Sequence, residues 1–314
     1  MIRQFLNRLR SSAQSTPTTL VSIVLQAERI KVLWLQPYPL VVTKVSTVVV
    51  TDPSQWASQL NKLAAEIPSK APVCLVIPAS HYQLYLVERP NVAENELTAA
   101  LPFLVAEQLQ QPVSELLLDY FQLPDVGRQP GSLQVVAAEK QWLAPLCKVL
   151  QRHDVELQNI QPEEWLVRNL VLSQGAPQLI LSQQPGQELA VLIMQQGKVY
   201  FSRKLRGYTR LAHYDLDDLQ NGVLENLMLE IQRSMDYFEG QLRQPPIRDI
   251  QLLLPDHVNT ALIPFLQQNG FEQVQAINLS GMMANLTEEE RGDYWLALAG
   301  ALELAVEDGD EATR

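Results

Sequence analysis

With 314 residues, 46% of them hydrophobic, the chain has apolar material for about two packed domains of ordinary size. Its 24 basic and 35 acidic side chains leave a formal charge of −11, which excludes a surface built to neutralise nucleic-acid phosphates. Cys74 and Cys147 stand far apart, with no CxxC and no adjacent histidine, so they read as small buried hydrophobes in a reducing compartment and not as a disulfide or zinc site.

No apolar run approaches the roughly 20 residues that a membrane span needs, and no small-residue cleavage site follows the N-terminal stretch. A cytoplasmic protein is expected. The segment from Met1 to Arg10 sets Ile2, Phe5, Leu6 and Leu9 at helical spacing among Arg3, Arg8 and Arg10, and a polar linker follows. This is a short basic amphipathic helix on a tether. Two readings stand: peripheral contact with an acidic membrane surface or partner, or a frayed helix resting on its own domain.

In chain order, residues 20–25, 29–35 and 41–50 are three β-rich runs with short polar or proline-containing connections, the pattern of an antiparallel meander. A helix over 54–67 places Trp56, Leu60, Leu63, Ala64 and Ile67 on one face and leads into the apolar strand 73–77. Residues 83–87 read as a strand and 95–109 as a helix with Leu97, Leu101, Leu104, Val105 and Leu109 on its apolar face. Strands at 115–122 and 133–138, a helix over 140–152, a strand at 155–160 and a helix from Pro162 to before Gly175 follow. From Pro177 the opening pattern returns, with strands at 178–182, 188–194 and 198–205, the last two joined by a tight turn at Gln195-Gln196-Gly197-Lys198. The longest predicted helix, 217–242, carries Leu224, Leu227, Met228, Ile231, Met235 and Phe238 on one stripe. Asp215, Asp217 and Asp218 at its start suit capping and the helix dipole better than a metal. Strand 249–254, helix 259–269, strand 271–277, helix 294–304 and an acidic tail complete the chain.

Two halves that each open with a three-stranded meander, the first interrupted by a small insertion, describe an α/β protein with the duplicated, two-lobed actin-like (RNase H-like) architecture. The expected division is a basic N-terminal segment and linker at 1–18, a first lobe at 19–89 plus 155–175, an inserted α+β subdomain at 90–154, a second lobe at 176–304 and the tail at 305–314. The segment Glu96-Leu-Thr-Ala-Ala-Leu-Pro-Phe, with Leu118-Asp119-Tyr120, Val135-Val136-Ala137-Ala138 and Gln161-Pro162-Glu163, resembles the inserted subdomain of the PilM-like proteins of type IV pilus assembly. Glu230-Ile231-Gln232-Arg233-Ser234-Met235-Asp236-Tyr237 is similar to that family's Glu-Ile-x-Arg-Ser-x-x-Tyr pattern. The resemblance spans residues 19–304 and is nearest to the MshI-type members of mannose-sensitive haemagglutinin (MSHA) pilus systems.

The resemblance implies a scaffold associated with an inner-membrane assembly complex. It would bind the short N-terminal tail of a PilN-like inner-membrane protein and relay contact to the assembly ATPase. Members that bind nucleotide hold it between the lobes, in hairpin loops that need an Asp for the metal and small residues for close backbone approach to phosphate. Here the first loop position reads Gln26-Ala27-Glu28, and no glycine precedes Gly127. The second reads Ser182-Gln183-Gln184-Pro185-Gly186-Gln187-Glu188, and the adenosine-side position reads Leu254-Pro255-Asp256-His257-Val258. Phosphoryl transfer depends on positioning and charge neutralisation at such loops. The expectation is therefore a pseudo-ATPase with no cofactor, no metal and no catalytic residue. The alternative is a nucleotide-switched ATPase of the same machinery that uses ATP and Mg.

If nucleotide binds, Glu230 and Arg233 are the cleft-facing candidates, though an i, i+3 ion pair that supports the helix is the favoured reading of them. For the partner, the candidates are Leu97, Leu101, Leu104 and Val105, which also read as core. His81, His153, His213 and His257 are isolated, with no nucleophile motif nearby. Pro37, Tyr38 and Pro39 near Trp34 read either as an aromatic-proline patch or as a hairpin turn.

Overall fold

The computed structural model describes residues 19–125, 131–171 and 175–310, and the N-terminal segment lies outside them, as do residues 311–314 of the tail. The first lobe opens with β1 (Leu20–Gln26), β2 (Arg29–Pro37) and β3 (Leu40–Val49), then α1 (Trp56–Ala64) and β4 (Pro72–Ile77). The inserted unit holds β5 (Tyr82–Glu88), α2 (Leu97–Val105), β6 (Leu116–Gln122) and β7 (Ser132–Glu139). The chain returns through α3 (Lys140–Arg152) and β8 (Glu156–Pro162) into a 3-10 segment, Glu163–Leu170. The second half runs β9 (Gln178–Ser182), β10 (Leu189–Gln195), β11 (Lys198–Leu205), α4 (Leu224–Asp236), β12 (Asp249–Leu253), α5 (Asp256–Gln268), β13 (Gln273–Ala276) and α6 (Glu288–Asp310).

The duplication is exact at the level of topology. One sheet has the order β3-β2-β1-β4-β8 and the other β11-β10-β9-β12-β13. In each, an antiparallel meander is extended by two parallel strands. The central strands β1, β4 and β9 are near-continuous apolar runs because both of their faces are covered. Side chains along β1 alternate: Val21, Ile23 and Leu25 point into a core under α1 and α3, while Leu20 and Val24 point into a core shared with the second sheet. The β10–β11 turn carries Gln196 and Gly197 at φ +53 and +75, the doubly positive geometry that matches strand twist in a two-residue hairpin.

Helices cover the outer face of each sheet, and α6 with the 3-10 segment fills the space between the sheets. The interlobe core joins Leu33, Cys74 and Val76 of the first sheet to Ile180, Leu192 and Met194 of the second through Trp165, Trp295, Leu298 and Leu302. Consecutive burial of Trp165, Leu166 and Val167 explains why this stretch is a tight 3-10 segment and not the α-helix its composition suggests.

Several expected boundaries move for physical reasons. β5, expected in the first lobe, is an edge strand of the β5-β7-β6 sheet, and α3, expected in the insertion, packs on α1. The inserted unit therefore runs from Tyr82 to Glu139. The last helix, expected within the second lobe, lies against β1, β2 and β4 of the first, and it begins at Glu288, behind a Thr287–Glu290 capping box. The long helix is broken: Asn221 and Gly222 leave helical geometry, Gly222 at φ +97, before α4 starts. Asp215 caps the short helical turn ahead of that break by accepting from the Asp218 N–H at 2.8 Å.

Candidate functional site

The positions that cradle phosphate in a two-lobed fold of this kind are the β1–β2 and β9–β10 turns, and here the two turns touch. Gln26 and Arg29 are the last paired residues of their hairpin, so Ala27 and Glu28 make a bare two-residue turn, and Val50 N–H donates to Glu28 O at 2.7 Å. Across the cleft, Gln184 O accepts from Gln187 N–H at 3.0 Å around Pro185 and Gly186, the latter at φ +75, which is the Pro-Gly signature of a type II turn. Gln183 N–H is also spent, on Leu253 O at 3.1 Å. Gln26 Nε2 then donates to Gln184 Oε1 at 2.7 Å, bridging the turns. Two amide side chains meet where a triphosphate would have to pass, and two of the second turn's N–H groups are already engaged.

A second contact closes the lobes nearby. Lys31, buried in β2, donates to Asp293 O at 2.9 Å and lies 3.4 Å from the Asp293 carboxylate on α6. Burial lowers its pKa, opposed by the charge of Asp293. Farther along α6, Glu303 accepts both Nη2 contacts of Arg168, at 2.7 and 2.9 Å, and is also bonded by Asn169 and Gln161. α6 is thereby pinned to β8 and the 3-10 segment.

Beyond the closed turns, an open cavity of about 920 Å³ lies at the carboxyl ends of β12 and β13, between the starts of α5 and α6. Its walls include Leu253, Leu254, Ile277, Leu279 and Trp295, with Asp256, Glu288, Glu289 and Asp293 among the polar lining. The position is the one ligands favour in open α/β sheets.

Glu230 and Arg233 do not line this cavity. They form an i, i+3 pair at 2.5 Å, and Glu230 is held also by Arg203 of β11 at 2.8 Å. Arg203 further donates to Ser234 Oγ and to the Glu230 carbonyl, so the polar signature of this helix ties α4 to its sheet. Leu97, Leu101 and Val105 are fully buried against Leu116, Leu118, Leu133 and Val135, so no partner reaches them in the folded subdomain; Leu104 is half-buried. The exposed apolar residue of α2 is Phe103, at 83%. Its place beside a proline inside the helical run hid it among core-like neighbours in the sequence.

The junction of the first lobe and the inserted unit holds two adjoining recesses of about 200 and about 420 Å³ that share Gln111 and Glu139. The first is lined also by His81, Gln83 and Tyr85. His81 stacks flat on Trp142 at 3.9 Å, and Trp56 meets both rings edge-on. Burial lowers the His81 pKa, with Glu139 opposing. β5 flanks this junction as an edge strand and exposes Leu86 at 59%. Periodicity in a single strand does not reveal an edge, so this feature went unread in the sequence. Tyr38, at 79% exposure, occupies the β2–β3 turn, in keeping with a hairpin tip.

Cys74 and Cys147 are both buried, and burial pushes the Cys147 thiol up to about 12. Among the described residues, no group of three or more His, Cys, Asp or Glu side chains is placed to hold a metal, and no helix is long and apolar enough to cross a membrane.

The topology and the paired lobes define the actin-like ATPase fold, with a small α+β unit inserted in the first half. Among solved structures, the chain is similar to the PilM–PilN type IV pilus biogenesis complex, with a TM-score of 0.64 at 16% identity over 90% of this chain and 98% of that one. The cytoplasmic domain of EpsL, an inner-membrane component of the type II secretion system of Vibrio cholerae, matches at a TM-score of 0.48 and 16% identity, over 76% and 82% of the two chains. A Bacteroides thetaiotaomicron protein with an actin-like ATPase fold matches at 0.48 and 12% identity, over 84% and 94%. No protein-family model matches the chain, and no curated protein sequence matches it.

Proposed function

We propose that this protein is a cytoplasmic scaffold of a type IV pilus assembly machine that binds the extended N-terminal tail of a PilN-like inner-membrane partner and does not turn over nucleotide. The observation that carries the second half is the Gln26–Gln184 bridge, with the first turn reduced to two residues and the Gln183 and Gln187 N–H groups of the second already engaged by backbone carbonyls. Likeness over nearly the whole chain to a protein solved with PilN supports the first half. The sequence motifs on α2 and α4 support the narrower reading of an MshI-type member of an MSHA system. Contact with the assembly ATPase, and peripheral membrane contact through Met1 to Arg10, belong to the same reading.

The docking site we favour is the junction around His81, Gln83, Gln111 and Glu139, with β5 as the edge to which an extended tail adds as a strand. Main-chain hydrogen bonds would supply affinity there, and alternate side chains would find the recesses. Calorimetric titration of the full chain with a synthetic partner tail tests this. Binding that Leu86→Glu abolishes supports the site, whereas no heat at high-micromolar peptide rejects the reading. The second reading, a nucleotide-switched ATPase, is favoured by one feature, the open cavity at the carboxyl ends of β12 and β13. Saturable stabilisation by Mg–ATP would decide for it.

A further inference from the structure

The chain holds two Gln-Asn-Gly sequences, Gln220-Asn221-Gly222 and Gln268-Asn269-Gly270, and the fold treats them differently. Glycine after asparagine leaves the backbone open to one reaction, because no Cβ shields the glycine nitrogen from the carbonyl carbon of the asparagine side chain. Both asparagines are exposed, both glycines have positive φ, at +97 and +95, and a Cβ on either glycine would meet nothing within 4 Å. Sequence, access to solvent and local crowding are therefore alike at the two sites, and hydrogen bonding separates them.

Asn269 and Gly270 close α5. Gly270 N–H donates to Gln267 O at 3.2 Å and Phe271 N–H to Leu266 O at 3.1 Å, the paired bonds of a Schellman ending with glycine in the left-handed position. The Asn269 side chain is pinned as well, with Nδ2 donating to Phe265 O at 2.8 Å. For the glycine nitrogen to reach Asn269 Cγ, both the Gly270 bond and the side-chain bond have to open.

Asn221 and Gly222 lie where helical geometry fails, between the turn capped by Asp215 and the start of α4. Leu224 N–H reaches back to Leu219 O, so the ladder passes over the residues between them, with Asn221 at φ −83 and ψ 48. Among the described residues the Asn221 amide makes no hydrogen bond. Leu219 and Leu224, 1% and 3% exposed, anchor the two sides of the break in the core of the second lobe, which leaves the stretch between them free to rearrange while α4 stays packed.

We propose that Asn221 is a self-modifying site, which passes through a cyclic imide to aspartate and isoaspartate in the folded protein, while Asn269 keeps its amide. Gly222 N attacks Asn221 Cγ and forms a C–N bond, and its proton passes to solvent base. The bond from Cγ to the side-chain nitrogen breaks, and that nitrogen takes up a proton and leaves as ammonia. Water then adds to the imide and breaks one of its two C–N bonds. Breakage at Cγ gives aspartate; breakage at the main-chain carbonyl gives isoaspartate, whose backbone runs through the side chain and carries an extra methylene. No oxidant or reductant enters. Either product sets a carboxylate just ahead of α4, at the helix end that favours negative charge. The site is separate from the partner-tail junction, so the two proposals stand or fall independently.

The test holds the full chain in warm, mildly alkaline buffer and follows both dipeptides by peptide mapping. Amide loss is read from the mass gain, and isoaspartate from labelling by an isoaspartyl carboxyl methyltransferase. Asn221 is expected to convert about tenfold or more faster than Asn269, because the two hydrogen bonds that guard Asn269 have to open first. A second arm in urea removes the fold, and there the two rates are expected to converge. Asn221→Gln is expected to remove the fast site and leave Asn269 unchanged. Equal rates in the folded chain, faster loss at Asn269, or an Asn221 that survives while the unfolded chain converts would overturn the proposal. So would a rate ratio that persists in urea, because the fold would then not be its cause.

Discussion

Replacing Gly300 with alanine puts a methyl where α6 comes closest to the first sheet. Its Cβ would stand 2.4 Å from Ser22 Oγ and 2.9 Å from Val76 Cγ2, and both neighbours are short side chains fixed in buried strands. Mid-helix alanine is favoured over glycine by about 1 kcal/mol, but overpacking a well-filled core costs about 1–3 kcal/mol, and a 2.4 Å approach to a fixed side chain belongs to the upper part of that range. The net expectation is a loss of about 1–2 kcal/mol and a fall in Tm of a few degrees, since a chain of this size loses about 2–4 °C per kcal/mol. Ser22 supplies the control. Its hydroxyl is fully buried without a hydrogen-bond partner, so Ser22→Ala alone should be neutral or slightly stabilising. In the double variant the closer clash disappears and the Val76 contact remains, so the rescue should be partial. Urea unfolding of the four proteins gives the coupling energy directly, expected at about 0.5–1.5 kcal/mol. A Gly300→Ala protein as stable as the parent, or effects that add within about 0.3 kcal/mol, would refute this packing of α6 on β1 and β4.

Glu303→Ala should cost about 2–4 kcal/mol in urea unfolding, because it strands the Arg168 guanidinium and two amides in a nearly buried network; a loss below about 1 kcal/mol would count against it. Leu101→Ala should destabilise by about 2–5 kcal/mol as a core truncation, while Phe103→Ala should stay within about 0.5 kcal/mol, both read from denaturant midpoints. His81 is held below its usual pKa of 6.5, so the unfolded chain takes up its proton first as pH falls. Stability should be fully present above 6.5 and decline below it, as His81 approaches its lower folded-state pKa, and His81→Phe should flatten that acid-side slope in midpoints measured between pH 7.5 and 5.5.

Much of this architecture was legible in the sequence. Apolar runs such as Leu20–Gln26 and Gln178–Ser182, each followed by two further strands, revealed the repeated meander, and that repeat located the phosphate turns. What stayed hidden is long-range. Gln26 and Gln184 are 158 residues apart, and no local pattern says that their amides meet. Helical periodicity shows that α3 and α6 have apolar faces but not which sheet those faces cover, so both were placed with the wrong neighbour. One signal was available: Tyr294, Trp295, Leu296, Ala297, Leu298 and Ala299 form an unbroken apolar stretch, the mark of a helix covered on all sides. The break at Asn221-Gly222 was readable as a turn dipeptide, but the hydrophobic stripe running through it suggested one continuous helix. Three of the candidate partner residues, Leu97, Leu101 and Val105, are core for the converse reason, since a leucine stripe marks a core long before it marks a surface.

The central claim is that this fold holds a partner without a nucleotide cycle. Its most direct test is the affinity of the full chain for the partner's N-terminal tail, measured by calorimetry in the presence and absence of saturating Mg–ATP. The account predicts one-to-one binding with the same Kd in both conditions; an affinity that shifts tenfold or more with nucleotide, about 1.4 kcal/mol of coupling, would contradict it.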